Sequence, residues 1–191
     1  MKSIKKAVRI EFEERKSKFI GYAKPISTKE EAEDFISMIR EMHPDATHNC
    51  TVYRVIDNGQ EYFKADDDGE PSGTAGKPMG EILTYMEVNN VVVVATRYFG
   101  GIKLGAGGLV RNYAKTAKLA VLEGEIVEFI ERVECLLDFS YEKINEVETL
   151  LINGNEELLN KDFNERVTYR VKVSDETLEK LKDLKDILVI M

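Results

Sequence analysis

At 191 residues, with 43% hydrophobic and 32% charged side chains, the chain has room for one large or two small globular domains, each with a real core. The formal charge of -8 confines any affinity for polyanions to particular segments. No apolar run approaches the length of a membrane span, and the opening MKSIKKAVRIEFEE turns acidic too soon for a signal peptide, so a soluble cytoplasmic protein without a membrane partner is expected. Two distant cysteines, Cys50 and Cys135, exclude a disulfide framework and a thiol-only zinc site, and His43 and His48 are the only imidazoles.

In chain order, Val8, Ile10 and Phe12 alternate, and apolar character returns at Phe19, Ile20 and Tyr22, which predicts two strands joined by the charged run from Glu13 to Lys18. Ser27 and Glu30 read as a capping box for a helix in which Ala32, Phe35, Ile36, Ile39 and Met42 recur at helical spacing. Pro44 stops it. A strand from His48 to Ile56 turns at Asp57-Asn58-Gly59 and returns through Tyr62 and Phe63. The segment ADDDGEPSGTAGKP is too polar and glycine-rich for regular structure, and Pro78 then opens a helix facing inward with Met79, Ile82, Leu83 and Met86.

Val91 to Val94 is a continuous apolar run, as expected of a sheet-centre strand covered on both faces. The chain then passes through a connector, Gly100 to Gly108, with five glycines in nine residues, into a helix with Val110, Tyr113, Ala114, Ala117, Ala120 and Val121 on one face. Gly124 ends that helix. Beyond a boundary near residue 130 the order is strand, helix, two strands, helix, strand, the ferredoxin-like βαββαβ pattern, with Val167, Tyr169, Val171 and Val173 alternating. The expected organisation is therefore α+β in two domains, 1–130 and 131–191. Residues 131–191 carry 15 acidic and 9 basic side chains, net -6, against 20 and 18, net -2, before them, which assigns polyanion binding to the first domain.

Between Val91 and Leu122 there are five cations, Arg97, Lys103, Arg111, Lys115 and Lys118, and no acid. Arg111, Lys115 and Lys118 share one helical stripe, which is either an ordinary solvated face or a surface for nucleic-acid phosphate. Gly105, Gly107 and Gly108 deliver the chain into the helix N-terminus, where free N–H groups and the macrodipole make an anion cradle. The same glycines also suit a tight turn, and they match neither a P-loop nor a dinucleotide fingerprint. Tyr98 and Phe99 are candidates for base stacking or for packing.

Asp67, Asp68 and Glu70, with Ser72 and Thr74 close by, form either a solvated loop or a supporting site for a divalent cation, and pairing of one carboxylate with Arg97 or Lys103 is a further alternative. His48 and Cys50 share one side of a strand and could be base and nucleophile, two metal ligands, or simply core, and His48 also counts toward that supporting site. Neither an esterase elbow nor a zinc-protease motif is present, and no catalytic constellation, metal or cofactor is assigned.

DDGEPSGTAGKPM at Asp67 to Met79 and RYFGGIKLGAGGLVRNY at Arg97 to Tyr113, with His48-Asn49-Cys50, resemble the YigZ/IMPACT family; Thr51-Val52-Tyr53 departs from its more usual flavour. The resemblance implies a first domain similar to the second domain of ribosomal protein S-five, a fold shared with small-molecule kinases of the GHMP type. It implies a second domain similar to a ferredoxin-like domain of elongation factor G. For the bacterial type it implies a translation-linked role with RNA or the ribosome as partner. A phosphate-binding enzyme using Asp67, Asp68 or Glu70 for magnesium, and an adaptor with a protein partner, are the alternatives.

Overall fold

The computed structural model of the chain describes residues 1–57, 59–130 and 132–191, and the chain is α+β in two units, Met1–Phe129 and Ile130–Met191. The turn expected around Asn58 lies outside the described residues.

The first unit runs β1 (Lys2–Ile4), β2 (Val8–Glu14), β3 (Ser17–Pro25), α1 (Lys29–Met42), β4 (His48–Asp57), β5 (Gln60–Asp66), α2 (Gly76–Tyr85), β6 (Val91–Tyr98), α3 (Ala106–Glu123) and β7 (Ile126–Glu128). Its main sheet has the order β2-β3-β6-β4-β5 with every neighbour antiparallel, and β1 pairs with β7 in a separate ribbon. Central β6 is buried from Val91 to Arg97, which accounts for its unbroken apolar run. Val92 and Val94 face the side covered by Phe35, Ile36 and Ile39 of α1. Val91, Val93 and Ala95 face Met79 and Leu83 of α2 and Tyr113, Ala117 and Ala120 of α3. Each fully buried valine contributes on the order of 1.5 kcal/mol, so loss of either helical layer would strip β6 of a comparable share of its stabilisation.

Three local expectations are corrected. The cap of α1 is Thr28, whose hydroxyl accepts from the Glu31 N–H at 3.1 Å, while the Glu31 carboxylate accepts from the Ser27 N–H at 2.7 Å. Both Ser27 and Thr28 have a Glu three residues on. The choice falls one residue later because Ile26 is buried and donates to the Asn90 carbonyl, prolonging the extended chain. The irregular stretch is shorter than expected, 67–75, because β5 reaches Asp66 and α2 starts at Gly76. On α3, Val110 is exposed and Leu109, Asn112 and Thr116 take the inward stripe. The polar members bury without penalty because the Asn112 amide donates to the Gly108 carbonyl and the Thr116 hydroxyl to that of Asn112, each at 2.8 Å.

The second unit runs β8 (Arg132–Phe139), a short 3-10 turn, α4 (Ile144–Asn153), β9 (Glu157–Phe163), β10 (Val167–Ser174), α5 (Asp175–Lys182) and β11 (Ile187–Ile190). Sheet order β11-β8-β10-β9, all antiparallel, is the ferredoxin-like arrangement. Val167, Tyr169, Val171 and Val173 are buried against Val147, Leu151, Leu178 and Leu181 of the helices. Ser174 caps α5 by accepting from the Thr177 N–H.

Candidate functional site

Near the end of β6 the pleat turns Arg97 toward α2 and α3, in register with Phe19 of β3 and His48 of β4. Arg97 is only 5% exposed. One guanidinium nitrogen, Nη1, donates to Glu70 Oε1 at 2.6 Å, and Nη2 donates to Ser17 Oγ at 3.3 Å. The guanidinium carbon lies 5.7 Å from the Phe19 ring centre and 5.6 Å from that of Phe99. Glu70 Oε1 also accepts from the Tyr113 hydroxyl of α3 at 2.7 Å. Burying this pair carries a desolvation cost that the hydrogen bonds to Ser17 and from Tyr113 help to offset.

The loop before α2 carries Glu70 to this pair. Asp67 Oδ1 accepts from the N–H groups of Ala75 and Gly76 at 2.9 and 2.8 Å, and Oδ2 from that of Gly73 at 2.6 Å. Burial pushes this carboxyl upward, but those three N–H donors outweigh it and hold Asp67 below the usual carboxylate range. Asp67 is thus the anion at the N-terminus of α2. Asp68 accepts from the Asn49 N–H at 2.6 Å and from Arg40 at 3.3 Å. The Thr74 hydroxyl donates to the Pro71 carbonyl at 2.6 Å, and Ser72 is exposed. Asp67 and Asp68 therefore already have intramolecular partners, and among the described residues no three metal-ligating side chains converge.

His48 Nδ1 lies 2.7 Å from the Asp68 carbonyl, which can only accept, so Nδ1 carries a proton. In the neutral ring Nε2 is then bare, 3.8 Å from Glu70 Oε2 and beyond hydrogen-bond reach. The Cys50 thiol donates to the Asp67 carbonyl at 3.0 Å, and burial pushes its pKa far upward. A neutral buried thiol of this kind is part of the packing and a poor nucleophile. Tyr98 points to the opposite layer, where its hydroxyl meets His43 Nδ1 at 2.8 Å, while Phe99 lies exposed.

The remaining cations have a different environment. Lys103, Arg111, Lys115 and Lys118 are all exposed, and among the described residues none has a carboxylate within ion-pairing distance. Lys115 Nζ sits 4.2 Å above the Phe12 ring. Gly105, at φ 73°, adopts a conformation open to glycine and places no side chain over the start of α3, whose first turn holds no acid. Gly107 is exposed beside it and Gly108 is buried. A Cβ on Gly100 would lie 1.7 Å from the Lys16 carbonyl oxygen, so the connector rests directly on the turn between β2 and β3. That close approach brings Arg15 against α3, and a cavity of about 240 Å³ opens between Glu14, Arg15, Leu104, Gly108, Arg111 and Lys115. The structure thus divides the five cations: Arg97 is internal, and the other four are on the surface, where Arg111 and Lys115 line a cavity with Arg15. Arg15 and Lys16 stand in the sequence as two adjacent cations between alternating runs, but nothing local places them beside a helix some hundred residues away.

Residues 15–121 match the Impact N-terminal domain, a span that holds the Glu70–Arg97 pair, the glycine-rich connector and the cations of this arrangement. The chain belongs to the IMPACT family. An IMPACT family member of Haemophilus influenzae is 37% identical over 180 residues, 92% of this chain and 85% of the relative. The IMPACT family member YvyE of Bacillus subtilis is 47% identical over 126 residues, 66% of this chain and 58% of YvyE. A crystal structure of a hypothetical protein superposes with a TM-score of 0.68 at 30% identity, covering 99% of this chain and 95% of the other.

Proposed function

We propose that this IMPACT family member is a translation-linked regulator that binds RNA or a ribosomal particle through the basic face formed by Lys103, Arg111, Lys115, Lys118 and the turn residues Arg15 and Lys16. The observation that carries the reading is the cavity in which Arg15, Arg111 and Lys115 converge beside the uncapped start of α3. Three cations against the single carboxylate of Glu14, beside a helix N-terminus, leave this concave spot net positive and suited to a phosphate group. The translation link comes from family membership. Glu70 and Arg97 form the scaffold beneath this face, and the glycine-rich connector with Gly105, Gly107 and Gly108 forms its floor.

Equilibrium binding of fluorescent RNA across a range of salt concentrations tests the reading. Affinity should fall steeply with salt, and Arg111→Glu with Lys115→Glu should weaken binding and flatten the salt dependence by about 0.7–0.9 in log–log slope for every phosphate no longer neutralised. Unchanged binding by that double variant would sink the proposal.

A further inference from the structure

Resting on the reading above, we infer that Phe99 is a base-stacking platform, so that the basic face selects single-stranded over duplex RNA. Phe99 is 46% exposed, so its ring is open to a partner. Its backbone is fixed, because the Phe99 N–H donates to Thr47 Oγ1 at 2.9 Å and the Thr47 N–H to the Arg97 carbonyl at 2.9 Å. Its ring has a backing, since the Arg97 guanidinium carbon lies 5.7 and 5.6 Å from the ring centres of Phe19 and Phe99. Glu70, Tyr113 and Ser17 hold Arg97 in turn.

The two motifs of the first unit therefore converge on one exposed aromatic ring. A buried ion pair is a weak source of net stability, and Arg97 Nε is buried with no partner among the described residues, so the network is costly for a purely structural device. What it achieves is orientation: a ring backed by a buried guanidinium that Glu70 and Ser17 hold in place. Phe99 is also well placed, because the next residue, Gly100, lies against Lys16, beside the cavity lined by Arg15, Arg111 and Lys115. A braced aromatic next to a cationic groove is how single strands are held without sequence preference, with bases on rings and phosphates on cations. Duplex bases stack on one another and cannot reach such a ring.

The test compares a single-stranded oligoribonucleotide with a duplex of the same sequence, on the full chain. Phe99→Ala should weaken single-strand binding about tenfold and leave duplex binding and the salt slope unchanged. Phe99→Trp should bind like the parent, and because the chain holds no other tryptophan, quenching of the introduced indole on addition of the single strand reports that the ring meets RNA directly. Parental single-strand affinity in Phe99→Ala, an equal loss on both RNA forms, or an indole unaffected by RNA overturns the inference while leaving RNA binding intact. If neither RNA form binds the parent chain, the proposed function itself falls, and the platform with it.

Discussion

Glu70 and Arg97 lie 27 residues apart in sequence and 2.6 Å apart in space, with 3% and 6% of their side chains exposed. Removing one partner strands the other charge in the core. Glu70→Ala should therefore destabilise the first unit by about 3–5 kcal/mol, and a double variant, Glu70→Leu with Arg97→Met, should cost markedly less. Urea unfolding followed by circular dichroism checks both; a double variant as damaged as Glu70→Ala would mean that the pair is not the source of the loss.

Asp67 should govern the acid limb of stability. Its carboxyl is held low in the folded protein and rises to the ordinary value, about 3.9, on unfolding, so its contribution is complete above that pH and drains away as the pH falls through the folded value. Asp67→Asn turns an amide donor toward backbone N–H groups and should cost about 1–3 kcal/mol at pH 7. The gap between parent and variant should narrow below about pH 4, read from melting curves against pH. A constant gap across that window would contradict the assignment.

Two glycines in the connector should respond oppositely to alanine. Gly100→Ala drives a Cβ to within 1.7 Å of the Lys16 carbonyl oxygen, a backbone atom that cannot swing aside, and should separate the connector from the β2–β3 turn with a large loss of stability. At Gly107 the added methyl meets only the end of the Arg111 side chain at 3.9 Å, inside the first turn of α3. Gly107→Ala should be neutral or stabilising by up to about 1 kcal/mol. Thermal melts of the two variants side by side give the answer.

The thiols should be silent in the native state. Burial pushes both Cys50 and Cys135 upward, which keeps each as an unreactive thiol at neutral pH. A thiol-reactive chromophore should label neither until denaturant is added, after which both should react rapidly. Fast labelling of Cys50 in the folded chain would reopen a chemical role for it.

Local periodicity made most of the fold legible. The runs 91–94 and 167–173 announce their strands because each residue's surroundings repeat along the chain. Which hydroxyl caps α1 was not legible, since Ser27 and Thr28 satisfy the same local pattern and burial of Ile26 breaks the tie. The site shows the same division. The cations of α3 stand out by composition, whereas the withdrawal of Arg97 into the core depends on a carboxylate from another segment. The arrival of Arg15 depends on the absence of a side chain at Gly100. Both are long-range juxtapositions; the sequence offers a carboxylate of the 67–70 loop for Arg97 or Lys103 without choosing Glu70, and it offers nothing for Arg15.

The ribbon between β1 and β7 has a consequence for how the first unit can be used. Lys2 pairs with Glu128, Ser3 with Val127 and Ile4 with Ile126, so the chain enters and leaves this unit side by side. A module whose two ends meet can be spliced into another protein, circularly permuted, or joined to a different companion domain with its sheet left whole. The first unit is in that sense portable.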